Sequence, residues 1–240
     1  MARGRGWGVV AVRGGVRALP RLAPAIREVP PDVVLGRGCL IDDNVILAAR
    51  PGRPLREPTL RLGRRAVVRS GSVLYAGSRI GDDFETGHNV IVREDNVIGL
   101  QVKVWNNSVV DYGCTIGDRV KIHSNCYVAQ FTTIEDDVFL APGVSVANDP
   151  HPGSSTHLCM RGPTIKRGAQ IGMNATILPF VTVGERSLVG AGAVVTRDVP
   201  PGMVVVGNPA RVLKPVREVT CPLDLTTGEY LGAPKDRADS

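Results

Sequence analysis

From Leu62 to Val146 a large aliphatic side chain recurs at every sixth position. The series is Leu62, Val68, Leu74, Ile80, Val92, Ile98, Val104, Val110, Ile116, Ile122, Val128, Ile134, Leu140 and Val146, with Thr86 its one polar member. After an interruption it resumes as Ile165, Ile171, Ile177, Val183, Val189 and Val195. Six is neither the two-residue alternation of an ordinary strand nor the 3.6-residue turn of a helix. A hexad that begins with an aliphatic and carries a small or β-branched residue at its fifth position (Ala169, Ala175, Val181, Ser187, Ala193) makes one short strand and one corner. Three such hexads close a triangular coil of 18 residues. The fourth position falls in the corner, where a positive φ is cheap for Gly and tolerable for Asn or Asp. Gly71, Gly77, Asp83, Asn89, Asp95, Asn107, Gly113, Asn125, Asp137, Gly143, Gly168, Asn174, Gly192 and Asp198 occupy it. The pattern predicts an all-β parallel β-helix of six or seven stacked coils, a prism about 30 Å long filled by its aliphatic ladder. Little room is left inside for a ligand, so function belongs on corners, on excursions from the coil, or between subunits.

Three segments break the beat: residues 1–34, 47–61 and 147–164. The expected organisation is a basic N-terminal extension (1–34), a β-helix domain (35–206), and a C-terminal cap and tail (207–240) that contains Cys221 and Tyr230. The formal charge of +6 changes little, because Arg3, Arg5, Arg13, Arg17, Arg21 and Arg27 all precede Glu28, the first acidic residue. Without that flexible or transit-like arm the chain is balanced, and nucleic acid is not an expected partner. No apolar run reaches the roughly 18 residues that span a bilayer. Five cysteines (Cys39, Cys114, Cys126, Cys159, Cys221) form no C-x-x-C pair and are odd in number, which argues for a reducing, cytoplasmic home rather than a disulfide framework.

The hexads, together with Ile165-Lys166-Arg167-Gly168-Ala169-Gln170-Ile171-Gly172, Val189-Gly190-Ala191-Gly192-Ala193-Val194-Val195 and Gly207-Asn208-Pro209-Ala210-Arg211, resemble the hexapeptide-repeat acyltransferases over roughly residues 35–215. That resemblance implies a left-handed parallel β-helix, acetyl-CoA or a related thioester as co-substrate, and a homotrimer with CoA in the groove between prisms. The stretch Ile134-Glu135-Asp136-Asp137-Val138-Phe139-Leu140-Ala141-Pro142-Gly143 followed by Asn148-Asp149 is similar to the N-acetyltransferases of nucleotide-linked amino sugars. His151-Pro152 is similar instead to the sugar and xenobiotic O-acetyltransferases, in which such a histidine is the general base.

Stepping by 18 identifies the side chains that stack on one corner. One column reads Gly87, Trp105, His123, Ala141, and its neighbours read His88, Asn106, Ser124, Pro142 and Asn89, Asn107, Asn125, Gly143. His88 and Trp105 are therefore expected beside His123. The next corner carries Arg93-Glu94-Asp95, Asp111-Tyr112 and Gln130-Phe131, and the 147–164 excursion leaves from it, so these features are expected to converge on one edge. The remaining corners (Gly81-Asp82-Asp83, Gly99-Leu100-Gln101, Gly117-Asp118-Arg119, Glu135-Asp136-Asp137) read as solvated turns.

The candidate base is His151, oriented by Asn148 or Asp149, or else His123. The candidate acceptor contacts are His88, Trp105, Asn106 and Asp111. For CoA the resemblance implies backbone around Ala191 and Gly192, with Lys166, Arg197, Asn208, Arg211 and Lys214 near its phosphates. Blander roles exist for each: His123 packing on Trp105, His151 as a solvent-exposed loop residue, the basic groups as surface charge. His157 and Cys159 share the excursion without a partner pattern. A zinc hydratase of the γ-type carbonic anhydrase kind is excluded within one subunit, since His88 and His123 lie nearly two coils apart, about 10 Å, whereas ligand bonds are about 2 Å. Val128 stands where its third histidine belongs. No metal is expected. The competing class is a non-catalytic scaffold, for which the Trp105/His123 corner and the excursion would be superfluous.

Overall fold

The computed structural model describes residues 29–153, 159–220 and 223. The basic arm up to residue 28, His157, Cys221 and Tyr230 lie outside these described residues. The hexads form three parallel sheets, one for each face of a triangular prism, and the fold is the left-handed parallel β-helix expected. The first face starts at Val33–Leu35, the second at Leu40–Ile41 and the third at Ile46–Ala49. The first and third faces contain eight strands each, so there are eight coils rather than six or seven, about 38 Å at 4.8 Å per strand. The additional coil lies at the N-terminal end, where the sequence beat is irregular: Val33 pairs with Leu60 across the 50–59 loop. The helix thus begins two residues ahead of the expected boundary.

Each regular coil pairs residue i with i+18, as in Val97 with Thr115 and Lys103 with Lys121. The first hexad position points inward and is buried, and the sixth points outward. Thr86 fits the core because its hydroxyl accepts the Arg69 N–H at 2.9 Å and lies 3.5 Å from the Ser72 hydroxyl, so burial leaves no orphan. The fifth position explains two cysteines. Cys114 and Cys126 are buried and donate to the carbonyls of Ala129 and Ala141, both at 3.2 Å, on the coil above. Ser78 and Ser108 do the same to Arg93 and His123 at 2.7 Å. Burial pushes the Cys114 thiol up to about 12 and that of Cys126 up to about 11, so both are structural and unreactive.

Positive φ occurs at the fourth position whatever residue stands there. Arg65, Gln101, Arg119, Phe131, Phe180 and Arg186 adopt φ between 52° and 64° alongside the glycines, asparagines and aspartates. Asp198 does not adopt it, because the last coil is shortened: Val199 bridges to Val183 at a step of 16 residues instead of 18. Met203–Val206 still pairs parallel with Leu188–Val189 on the second face, and Arg211–Pro215 then folds back antiparallel on it. Among the described residues no helix is long and apolar enough to cross a membrane.

Candidate active site

Two corners carry the unusual side chains, and the third face separates them. The corner between the second and third faces holds Trp105 and His123 on successive coils, with ring centroids 6.2 Å apart, while Phe139 packs on the other side of His123 at 5.3 Å. The backbone sets this stack: Trp105 N–H donates to Ile122 and His123 N–H to Leu140, each one coil on. Among the described residues the His123 ring nitrogens make no hydrogen bond, and the ring is held by its packing between Trp105 and Phe139. His88, in the adjoining column, turns the other way: its Nδ1 lies 2.9 Å from the Ser70 hydroxyl. The Asn106 side-chain oxygen accepts the His88 N–H at 2.7 Å, a corner brace. Trp105 therefore stands beside His123 as expected, and His88 and Asn106 are engaged away from it.

The corner between the third and first faces is a closed polar cluster. Asp111, 6% exposed, accepts from the Tyr127 hydroxyl at 2.8 Å, the Gln130 amide at 2.6 Å and the Tyr112 N–H at 2.8 Å. Burial and then the Asp111 hydrogen bond push the Tyr127 phenol up to about 12. One coil below, fully buried Glu94 is gripped by Arg53 at 2.7 Å and Arg93 at 2.8 Å. The Arg53 guanidinium also covers the Tyr112 ring at 3.8 Å, and Tyr112 meets Phe131 edge-on at 5.3 Å. The irregular 50–59 loop thus clamps this corner through Arg53. Asp111 is occupied within its own chain.

The excursion leaves from that same corner. Val146 pairs with Ile177, a step of 31 residues where a regular coil takes 18. Its neck is closed by the Arg161 N–H on the Asn148 carbonyl at 2.8 Å. The Asn148 side chain is 8% exposed, and its Nδ2 donor has no partner among the described residues. Asp149 accepts the His151 backbone N–H at 2.8 Å, fixing the turn that presents His151 to solvent. Asp149 therefore orients His151, through its backbone rather than its ring. The excursion and the Arg93, Glu94, Asp111, Tyr112 and Gln130 cluster thus share one edge, as expected, and His123 lies on the corner before it, a hexad away or about 16–20 Å at 3.3 Å per residue across the third face.

A family model, bacterial transferase hexapeptide (six repeats), matches residues 113–148 and 162–197, the repeats on either side of the excursion. These repeats are those of the hexapeptide-repeat transferase family. It is 35% identical over 91 residues to the galactoside O-acetyltransferase of Escherichia coli, covering 36% of this chain and 45% of that one. It is 42% identical over 83 residues to a 2,3,4,5-tetrahydropyridine-2,6-dicarboxylate N-acetyltransferase of Clostridium perfringens, covering 35% and 33%. The bifunctional protein GlmU of Heliobacterium modesticaldum is 32% identical over 175 residues, 73% of this chain and 34% of that one. The chain spans less than half the length of each of these relatives.

The residues named for CoA are dispersed. Lys166 is paired with Glu135 at 2.7 Å on the corner between the first and second faces. Ala191 and Gly192 are exposed at the upper end of the His123 corner, and Gly192, at φ 69°, has open space where a side chain would be. Arg197 and Arg211 line a small cavity of about 150 Å³ at the C-terminal cap. Asn208 precedes a cis proline in the cap turn. The Lys214 ammonium donates to the Glu218 carbonyl at 3.0 Å. The corners expected to be plain solvated turns hold arginine–aspartate ladders, Arg65 on Asp83 and Arg119 on Asp137, both at 2.6 Å. A cavity of about 740 Å³ lies beside them on the second face, which the corner columns do not single out.

Proposed function

We propose that this protein is an acyl-CoA-dependent acyltransferase that moves acetyl from acetyl-CoA to the amino group of a nucleotide-linked amino sugar. The observation that carries the reading is the excursion: within repeats of the transferase family, one coil releases a loop whose turn, fixed by Asp149, presents His151. The acceptor nitrogen attacks the thioester carbonyl, the C–S bond breaks, the CoA thiolate leaves, and the ammonium proton passes to a base. Asn148, whose buried Nδ2 has no partner among the described residues, supplies a donor of the kind that stabilises the tetrahedral oxyanion. The Ile134–Gly143 stretch followed by Asn148-Asp149 favours the amino-sugar acceptor.

A trimer with active sites between subunits is part of the proposal. The outward column of the third face reads Ile46, Val73, Ile91, Val109, Tyr127, Ser145, Thr176 and Val194, with no charge over eight coils. A surface of that composition suits a second copy. Packing on it brings the His123 corner of one subunit toward the excursion of its neighbour, which a single chain keeps apart.

A hydroxyl acceptor is the second reading, favoured by His151 itself. A sugar hydroxyl needs a base with a pKa near neutrality, which imidazole provides, whereas an unprotonated amine is already nucleophilic. The test is acetyl-CoA-dependent thiol release with nucleotide-linked 3-amino and 4-amino sugars and their hydroxyl counterparts. Release with amines alone supports N-transfer, and release with hydroxyls supports O-transfer. Absence of both release and CoA binding replaces the enzyme with a scaffold.

A further inference from the structure

The 740 Å³ cavity runs along the second face. The outward column of that face is Glu85, Lys103, Lys121, Phe139 and Gln170, each paired in register with the next. Lys103 and Lys121 are thus direct neighbours on adjacent strands about 4.8 Å apart, an arrangement in which like charges repel. Glu85 neutralises Lys103 at 2.8 Å. Lys121 is exposed and pairs with no carboxylate of the described residues, whereas Arg65 and Arg119 on the rim are held by Asp83 and Asp137. The groove therefore has one uncompensated ammonium on its floor. Aromatic surface borders it: Phe139 is next in the column and continues into His123 and Trp105, and the Lys103 ammonium lies 6.0 Å from the Trp105 ring centre.

We infer that this groove is a nucleotide site. Lys121, with Lys103 beside it, holds phosphate oxygens by charge-assisted hydrogen bonds, and Phe139 and Trp105 offer ring faces to the base. A phosphate relieves the Lys103–Lys121 repulsion that the unliganded column carries, and the volume falls within the 300–1,000 Å³ range of small-molecule pockets. The shared chemistry, a phosphorylated flat ring, has two sources under the acyltransferase reading: the nucleoside diphosphate of the acceptor and the adenosine diphosphate part of CoA. The choice between them rests on that reading. Binding itself does not.

The experiment is calorimetric titration of the full-length protein with UDP and, separately, with CoA, for the wild type, Lys121→Ala, Lys121→Arg and the surface control Arg37→Ala. The expected result is that Lys121→Ala weakens at least one probe by about tenfold or more, Lys121→Arg stays within about threefold, Arg37→Ala is unchanged, and affinity falls with added salt. Loss confined to UDP assigns the groove to the acceptor, and loss confined to CoA assigns it to the donor. Wild-type protein that binds neither probe at millimolar concentration, or Lys121→Ala that binds both like wild type, overturns the site. Because no turnover is required, Lys121-dependent binding without acetyl transfer sinks only the enzymatic reading, and transfer with Lys121-independent binding sinks only the groove.

Discussion

Trp105 and His123 stand one coil apart on a single corner, their ring centroids 6.2 Å apart and their planes tilted by 47°. With Phe139 on the far side, the imidazole is packed between aromatics and its nitrogens carry no hydrogen bond within the described chain. Packing and chemistry can therefore be separated at this position. His123→Phe preserves ring stacking, so the melting temperature should stay within the range of a change under about 1 kcal/mol. Acetyl transfer should nevertheless fall. A variant as active as wild type would leave His123 with a packing role alone.

His151 is tested on both acceptor classes. His151→Ala should slow transfer to a hydroxyl by about 10²- to 10⁴-fold, the usual contribution of a general base, and transfer to an amine by about tenfold or less. Steady-state rates with matched amino and hydroxyl sugars check this. Equal, unchanged rates with either acceptor would remove His151 from the mechanism.

Glu94 gives the fold an acid-sensitive joint. Burial pushes its carboxyl up, but hydrogen bonds from Arg93 and Arg53 outweigh burial and hold it below its ordinary value of 4.5. A depressed folded-state pKa favours folding when the carboxylate is ionised, so this stabilisation is present above about pH 4.5 and is lost as pH falls through the folded-state value. Glu94→Gln should cost about 1–3 kcal/mol at neutral pH. Denaturant midpoints of wild type and variant should converge on acidification; a gap that stays constant with pH contradicts the assignment.

Phe180 and Phe131 both occupy the left-handed region, at φ 64° and 60°. Such a conformation costs a non-glycine residue about 1–2 kcal/mol. Phe131 recovers part of this through its edge-on contact with Tyr112 at 5.3 Å, whereas Phe180 is 49% exposed and has no aromatic partner in the described chain. Phe180→Gly should therefore raise stability by up to about 1 kcal/mol, and Phe131→Gly by less or not at all. Thermal melts of the two variants decide, and destabilisation by Phe180→Gly would mean that its ring is covered in the assembly.

The Trp105–His123 stack is legible in the repeat itself, because coil stacking pairs residues 18 apart. The Lys103–Lys121–Phe139 groove yields to the same arithmetic when it is applied to the outward sixth position instead of the corners. Asp111 reads as an acceptor contact because a column shows which side chains are stacked and not that Tyr127 and Gln130, from the coil above, fold back onto its carboxylate.

The architecture follows from the order of residues alone. A six-residue aliphatic beat with small fifth and permissive fourth positions has one efficient way to bury its ladder and satisfy its backbone, and even Thr86 obeys it. Other features arise only when the coils pack. Stacking imposes positive φ on Arg65, Phe131 and Phe180 against their local preference, since each corner must follow the coil beneath it. Packing also folds the Tyr127 hydroxyl and the Gln130 amide onto the Asp111 carboxylate, because the direction a side chain takes between coils is set by three-dimensional contact, which no interval along the chain encodes.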